Sequence, residues 1–266
     1  QYNTTCPFVE KVWNRSEQIG TKGYTIIIHG KPKHEETRAT FSHSSFHTPS
    51  IVVKDLDEAM NLEKYIRKTT DLNLFYTEFK GQYSEGFDVS RHFERIGVVN
   101  QTTMLASDTQ QIADFLKTVM ARHYELTSEL TATRFADTRD TLCYATNDNQ
   151  GAVMGLLQTK ADLALVVGGY NSSNTSHLVE LCEQQLPTYF IENESKIMDR
   201  QSISHFDLHT HTEIISNDYF PVAAKPKILI TSGASCPDAV VEKVIVKLLS
   251  FYERPYSIEQ IIGAFN

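Results

Sequence analysis

The chain has 266 residues, of which 41% are hydrophobic and 22% are charged, and its formal net charge is −8. This composition predicts a soluble globular chain of one or two domains, and the absence of a broad basic face argues against nucleic acid as a partner. No apolar run is long enough to span a bilayer, which argues against a membrane protein. Four cysteines at wide spacing, without a signal-peptide pattern, predict a cytoplasmic protein, or one of the plastid stroma in a plastid-bearing organism.

Four predicted strands end in polar loops. In chain order, these strands cover residues 24–28, 96–99, 163–167 and 228–231. In open parallel sheets, ligands collect at the carboxyl ends of the strands. Further apolar segments at 51–53 and 188–191 lack the alternation of a half-exposed strand, which favours parallel sheets covered on both faces. The fold class is therefore predicted to be α/β.

Two amphipathic helices are predicted at 107–124 and after Pro237, because apolar residues recur there at spacings of three and four. We expect both apolar stripes to be core. Their members are Ile112, Phe115, Leu116, Val119 and Met120 in one helix, and Val241, Val244, Ile245, Leu248 and Leu249 in the other.

A polar, charged stretch at 136–140 marks a predicted division into two α/β units, 1–138 and 139–266. The segment 202–218 contains His205, His209 and His211 and resembles a connecting loop. His-x-His is a common zinc-ligand spacing, but no cysteine or carboxylate follows at a suitable distance, so a surface loop is favoured.

The segment 166–178 carries the clearest functional signal. An apolar strand leads there into Gly168, Gly169 and a turn rich in serine and asparagine that opens a helix. The glycines allow close approach of a ligand, and the unpaired N–H groups of a helix N-terminus favour an anion such as a phosphate ester. Serine, threonine and asparagine are also ordinary capping residues, so a simple helix cap is the alternative. Similar chemistry at 100–103 and 232–238 favours the ligand site.

Histidine and carboxylate side chains follow the strand at 24–28. His34, Glu35 and Glu36 lie in this segment, where a histidine beside a carboxylate can bind an anion and deliver a proton. A solvated loop is the alternative. Local spacing does not distinguish Glu36 from Glu35 as a proton donor.

Cys6 and Cys143 each lie at a predicted helix start. Thiolate is the metal-binding form of cysteine, and the positive end of a helix favours it. The alternative is a small buried hydrophobic residue, which fits Cys182 well and leaves Cys236 open. Because iron–sulfur clusters are normally held by three or four cysteines, two thiolates would not suffice.

Several motifs together make the chain resemble the 4-hydroxy-3-methylbut-2-enyl diphosphate reductase family, in its plant and cyanobacterial type. They occur in family order: Thr5-Cys-Pro with Lys11-Val-Trp, IIHGKPKHEET at 27–37, NQTTM at 100–104, DTLCYAT at 140–146, VVGGYNSSNTSHL at 166–178 and TSGASCPD at 231–238. The resemblance covers essentially the whole chain, but the family has a further amino-terminal unit. It implies that this chain is a fragment containing the second and third of three α/β units, which in the family surround a central [4Fe-4S] cluster in a trefoil-like architecture.

The resemblance also implies roles for individual residues. Cys6 and Cys143 match two of the three cluster ligands, and the third is absent from this chain. Glu36 matches the acid that supplies protons to the leaving hydroxyl. The positions that match substrate-binding residues are His34, Thr102, Ser172, Ser173, Asn174 and Ser235.

The implied reaction is the reductive dehydroxylation of an allylic diphosphate to isopentenyl and dimethylallyl diphosphates, the last step of the non-mevalonate pathway. The implied electron donor is a ferredoxin or a flavodoxin. One alternative is a non-catalytic diphosphate-binding module that has lost its cluster-binding unit. Another is an unrelated α/β transferase acting on a nucleotide-sugar diphosphate, which the lack of Gly-x-Gly-x-x-Gly and Walker-type loops disfavours.

Overall fold

The chain divides into two compact units, Gln1–Asn147 and Asp148–Asn266. The computed structural model describes residues 5–136, 144–223 and 225–252. Each unit has its own β-sheet and helices, which confirms the α/β class. The boundary predicted between residues 138 and 139 lies outside the described residues, so the division into 1–138 and 139–266 stays a prediction.

Within residues 5–136, the first unit contains a four-stranded parallel sheet and five α-helices. Its strands are β1 (Thr25–His29), β2 (Ser50–Val53), β3 (Ile96–Asn100) and β4 (Phe135–Ala136). Its helices are α1 (Pro7–Gly20), α2 (Glu35–His47), α3 (Leu56–Ile66), α4 (Phe75–Glu78) and α5 (Ala106–His123). The strand order is β2-β1-β3-β4, and all neighbours are parallel. The carboxyl ends of β1 and β3 therefore lie side by side, with His29 paired to Asn100.

Burial on both faces explains why β1 is a continuous apolar run. Ile27 packs in one core with residues of α3 and α5, whereas Ile26 and Ile28 pack in a second core with Val12 and Ile19 of α1. Successive side chains of a strand point to opposite faces, so a strand covered on both sides needs apolar residues at every position.

Helix α2 was not recognised in the sequence, which left residues 34–36 open to interpretation as a solvated loop. His34 caps this helix, and Glu35 and Glu36 form its first turn. The buried residues of α2 include Thr37 and Ser44, so its inner face shows no apolar stripe. Amphipathic periodicity, the main sequence signal for a helix, is therefore missing here.

The second unit contains a five-stranded mixed sheet. Its strands are β5 (Leu163–Val167), β6 (Thr188–Ile191), β7 (Ser202–Asp207), β8 (Thr212–Asn217) and β9 (Ile228–Ser232). Its helices are α7 (Ser173–Glu183), α8 (Asp238–Leu249) and most of α6 (Tyr144–Leu157). The order is β8-β7-β6-β5-β9, and β5 pairs in parallel with both β6 and β9. The carboxyl ends of β5 and β9 are therefore adjacent, with Val167 paired to Ser232.

The prediction of a connecting loop at 202–218 is wrong, because β7 and β8 form an antiparallel hairpin there. His205 lies on β7, is buried, and forms a hydrogen bond of 2.8 Å between its Nε2 and Ser216 Oγ. The turn is stabilised by the carboxylate of Asp207, which accepts from the His209 N–H at 2.9 Å. His205 occupies a buried position of β7, so a polar residue stands where the alternation of a strand would place an apolar one.

The two amphipathic helices correspond to α5 and α8. In α5 the residues Ile112, Leu116 and Met120 are buried, as expected from the spacing, and in α8 so are Val244 and Leu248. None of the helices within the described ranges combines the length and the apolar character needed to cross a membrane.

Candidate functional site

The carboxyl edge of the first sheet brings together His34, Glu36 and Thr102. The Nδ1 atom of His34 accepts a hydrogen bond of 3.3 Å from the Glu36 N–H, which caps α2. The Oε1 atom of Glu36 accepts a second hydrogen bond, of 2.5 Å, from the Thr102 N–H at the end of β3. The half-buried carboxylate of Glu36 thus connects the segments that follow β1 and β3 and is held in a fixed position at this edge.

Gln101, which is not among the site residues predicted from the sequence, positions these segments. It is completely buried, and its Oε1 accepts from the Lys31 N–H at 3.2 Å and from Thr37 Oγ1 at 2.9 Å. Gly30 is required beside it, because a Cβ atom there would lie 2.5 Å from Thr37 Oγ1. The available signal was an amide side chain directly after a buried strand, where a buried polar group needs partners.

The start of α7 in the second unit contains Ser172, Ser173 and Asn174. Ser172 is the N-cap, and its Oγ accepts from the Thr175 N–H at 3.3 Å and from Thr175 Oγ1 at 2.9 Å. Asn174 is buried, and neither its amide nitrogen nor its amide oxygen has a hydrogen-bond partner among the described residues. An unsatisfied buried amide at a helix N-terminus indicates a polar ligand or water, and this position favours an anion.

His177 lies one turn further along α7 and was not selected from the sequence. Its ring is buried, its Nδ1 is 2.7 Å from Glu180 Oε2, and its Nε2 has no hydrogen-bond partner within the described part of the chain. The sequence signal for His177 as a site residue was its place in the polar motif at 166–178. Its Nε2 is a third unsatisfied polar atom in this helix, after the amide nitrogen and oxygen of Asn174.

Thr175, in the first turn of α7, lies close to Gly168 and Gly233, the residues that follow β5 and β9. It is completely buried, and a Cβ atom on Gly233 would lie 2.0 Å from its Oγ1. The Gly233 N–H also donates to the Val167 carbonyl at 3.0 Å. The exposed Ser235 follows two residues later, so its segment leaves the sheet at the same carboxyl edge as Ser172.

Comparison with known proteins identifies the family. A family model described as LytB protein matches residues 1–249. The chain belongs to the LytB family. This result confirms the resemblance that the motifs indicated.

Two similar LytB relatives are cyanobacterial proteins named 4-hydroxy-3-methylbut-2-enyl diphosphate reductase. The one from Picosynechococcus sp. is 41% identical over 254 residues, which cover 95% of this chain and 61% of the relative. The one from Rippkaea orientalis is 41% identical over 255 residues, which cover 96% of this chain and 61% of the relative. The chain therefore spans about 61% of the length of these relatives.

A solved structure supports the fold. It is the E-1-hydroxy-2-methyl-but-2-enyl-4-diphosphate reductase from Plasmodium falciparum, with a TM-score of 0.58 and 19% identity. The match covers 98% of this chain and 70% of that one. At this identity the likeness concerns the α/β fold.

The cysteines of this LytB chain differ in accessibility. Cys6 is a free, exposed thiol at the N-cap of α1, a position that suits a metal ligand. Cys143 lies outside the described residues, so its role as a ligand stays a prediction. Cys182 is buried, and this burial raises the pKa of its thiol to about 11. Burial also raises the pKa of the half-buried Cys236.

Thiol reactivity is expected to separate Cys6 from Cys182. At pH 8 in the metal-free protein, iodoacetamide should modify Cys6, whereas Cys182 should react at least about 100-fold more slowly, because its thiolate is scarce and its side chain is covered. Peptide mass spectrometry over a time course measures both rates. Equal rates in the folded protein would contradict the structure, and in denaturant, where burial is lost, the two cysteines should react at similar rates.

Proposed function

We propose that the complete protein is a 4-hydroxy-3-methylbut-2-enyl diphosphate reductase. The observation that carries the proposal is Asn174, whose buried amide is unsatisfied in the first turn of α7, two residues after the N-cap Ser172. The motifs at both sheet edges and the names of the cyanobacterial relatives support it. The substrate is then an allylic alcohol that carries a diphosphate.

The diphosphate needs several convergent hydrogen-bond donors. Hydroxyls and amides at strand ends and helix N-termini provide such donors at low energetic cost, because they are already oriented by the fold. We assign this role to the residues that match the family's binding positions, which are His34, Thr102, Ser172, Ser173, Asn174 and Ser235. Asn174 would gain the partners that its amide lacks.

Glu36 is assigned the proton transfer. Removal of the allylic hydroxyl consumes two electrons and two protons: one proton leaves with the hydroxyl as water, and the other forms the new C–H bond of the product. A carboxyl group that is held by the Thr102 N–H keeps a constant position from which it can donate a proton. The hydrogen bond occupies Oε1, which leaves Oε2 for the substrate.

The electrons require a redox group. When bound, a [4Fe-4S] cluster would supply two electrons and a Lewis-acidic iron. Cys6 and Cys143 would be two of its three cysteine ligands, and the third would come from residues beyond this sequence. The exposed thiol of Cys6 fits this role, whereas the burial of Cys182 does not. A ferredoxin or flavodoxin in the cytoplasm or plastid stroma would reduce the cluster.

Anaerobic purification and assay test the proposal. The complete protein should contain iron and sulfide, appear brown, and convert the allylic diphosphate to isopentenyl and dimethylallyl diphosphates with a low-potential viologen as the electron source. The 266-residue chain alone should bind iron poorly, because it offers two matching cysteines where three are needed. Binding of inorganic diphosphate by an iron-loaded complete protein that converts no substrate would overturn the proposal and indicate a non-catalytic binding module.

A further inference from the structure

Three potential metal ligands lie together on α1 and α2, separate from the residues assigned above. They are Glu17 of α1 and His43 and His47 of α2, and one ligand atom from each lies within 4.8 Å of the others. Histidines four residues apart project from the same face of a helix, which is a common arrangement for two ligands of one ion. Glu36, by contrast, is in the first turn of α2, about two to three turns away.

The ring of His43 is held in place by its neighbour Trp13. Its ring stacks on the indole of Trp13, with centroids 5.0 Å apart and planes inclined by 12°. The indole is itself fixed, because its Nε1 donates to Thr40 Oγ1 at 3.1 Å. The Nδ1 atom of His43 is nevertheless buried without a hydrogen-bond partner in the described ranges. A buried ring nitrogen without a hydrogen-bond partner is unusual, and it indicates a partner that the polypeptide does not supply.

The charge state of the cluster also suits a cation. Burial lowers the pKa of His43, the neighbouring His47 lowers it further, and Glu17 opposes both effects. Neutral imidazole, the form of histidine that binds metal, is therefore favoured near neutral pH. The carboxylate of Glu17 adds a negative charge.

We propose that Glu17, His43 and His47 bind a divalent transition-metal ion, of the class of Zn²⁺, Co²⁺ or Ni²⁺. Two imidazoles and one carboxylate select these ions over Mg²⁺ and Ca²⁺, which prefer oxygen ligands. Bonds of about 2.0–2.1 Å bring ligand atoms to about 3.4 Å from each other, so the cluster must contract on binding. The exposed His47 can rotate to achieve this. Water would occupy the fourth position, and the ion would connect α1 to α2.

The stacked indole gives a local test. Trp13 is the only tryptophan in the sequence, and paramagnetic Ni²⁺ bound to its neighbour His43 should quench its fluorescence in a saturable titration. The His47→Gln variant should raise the half-saturating Ni²⁺ concentration by about tenfold or more, because it removes one of three ligands. The His211→Gln variant is the matched control, since His211 is exposed on the hairpin of the other unit. This variant should give the same Ni²⁺ titration as the parent, which is the protein without substitutions.

Zn²⁺ provides a second readout. At a fixed concentration it should raise the midpoint of thermal unfolding of the unsubstituted protein and of His211→Gln by clearly more than that of His47→Gln, because a ligand that binds only the folded state stabilises it by an amount that grows with the ratio of its concentration to its Kd. Circular dichroism checks that each variant is folded, and Glu17→Gln replaces His47→Gln if the latter is not. No saturable quenching of the parent below about 1 mM Ni²⁺, or equal titrations of parent and ligand variant, would overturn the proposal.

Discussion

The Glu36→Gln variant of the complete enzyme is expected to lose its reductase turnover by about 10²–10⁴-fold. Glutamine keeps an amide oxygen that can accept the Thr102 N–H bond of 2.5 Å, so the connection between the segments after β1 and β3 should survive. It has no acidic proton to donate to the leaving hydroxyl. The quantity to measure is kcat, with a viologen as electron donor, under anaerobic conditions and at matched iron content. This prediction rests on the proposed function.

Glu35→Gln is the control for this experiment, because it makes the same chemical change at the neighbouring residue. Glu35 is exposed and lines a cleft of about 1070 Å³, whereas Glu36 is half-buried against Thr102. The Glu35→Gln variant should retain turnover close to that of the parent. If Glu36→Gln retains more than about a tenth of the parent's turnover, or if both variants lose it equally, Glu36 is not the proton donor.

Local chemistry was sufficient to predict much of the sheet. The strands at 163–167 and 188–191 were predicted within their observed bounds, because an uninterrupted apolar run of this length is typical of a covered strand. Helix α2 and the hairpin β7–β8 were missed for a shared reason. Their inner faces include Thr37, Ser44 and His205, polar residues whose burial depends on partners elsewhere in the fold.

The candidate site shows the same limit. His34 and Glu36 were selected from a motif, and the structure then brought Glu36 to Thr102, which is 66 residues away in sequence. Local spacing could not distinguish Glu36 from Glu35 as the proton donor. In the structure the two differ, because Glu36 accepts the long-range hydrogen bond from the Thr102 N–H. Gln101 offered only the weak signal of an amide directly after a buried strand, and Thr175 offered none, because the importance of both residues lies in contacts across strand ends. That Cys6 and Cys143 bind the same iron–sulfur cluster stays a prediction, since residue 143 lies outside the described residues.

The Gly233→Ala variant is expected to destabilise the second unit by about 1–3 kcal/mol or more. A Cβ atom at this position would lie 2.0 Å from Thr175 Oγ1, far closer than a non-bonded carbon and oxygen can approach. Thr175 is completely buried and its Oγ1 donates to the N-cap Ser172, so it cannot move aside without loss of that bond. Thermal unfolding measures the effect, and hydrogen–deuterium exchange should localise it to β5, β9 and the start of α7.

A glycine in the same unit provides the control for Gly233. Gly151 lies within α6, where an added Cβ atom would have no neighbour within 4 Å in the described structure. Gly151→Ala should therefore stabilise the protein by about 0.5–1 kcal/mol, because alanine favours the helix. The clash itself is tested by adding Thr175→Ala to Gly233→Ala. Removal of Oγ1 leaves the nearest Thr175 atom, its Cβ, at 3.3 Å, so the double variant should be more stable than the sum of the two single changes predicts. Simple additivity would show that the clash with Thr175 Oγ1 is not what destabilises the Gly233→Ala variant.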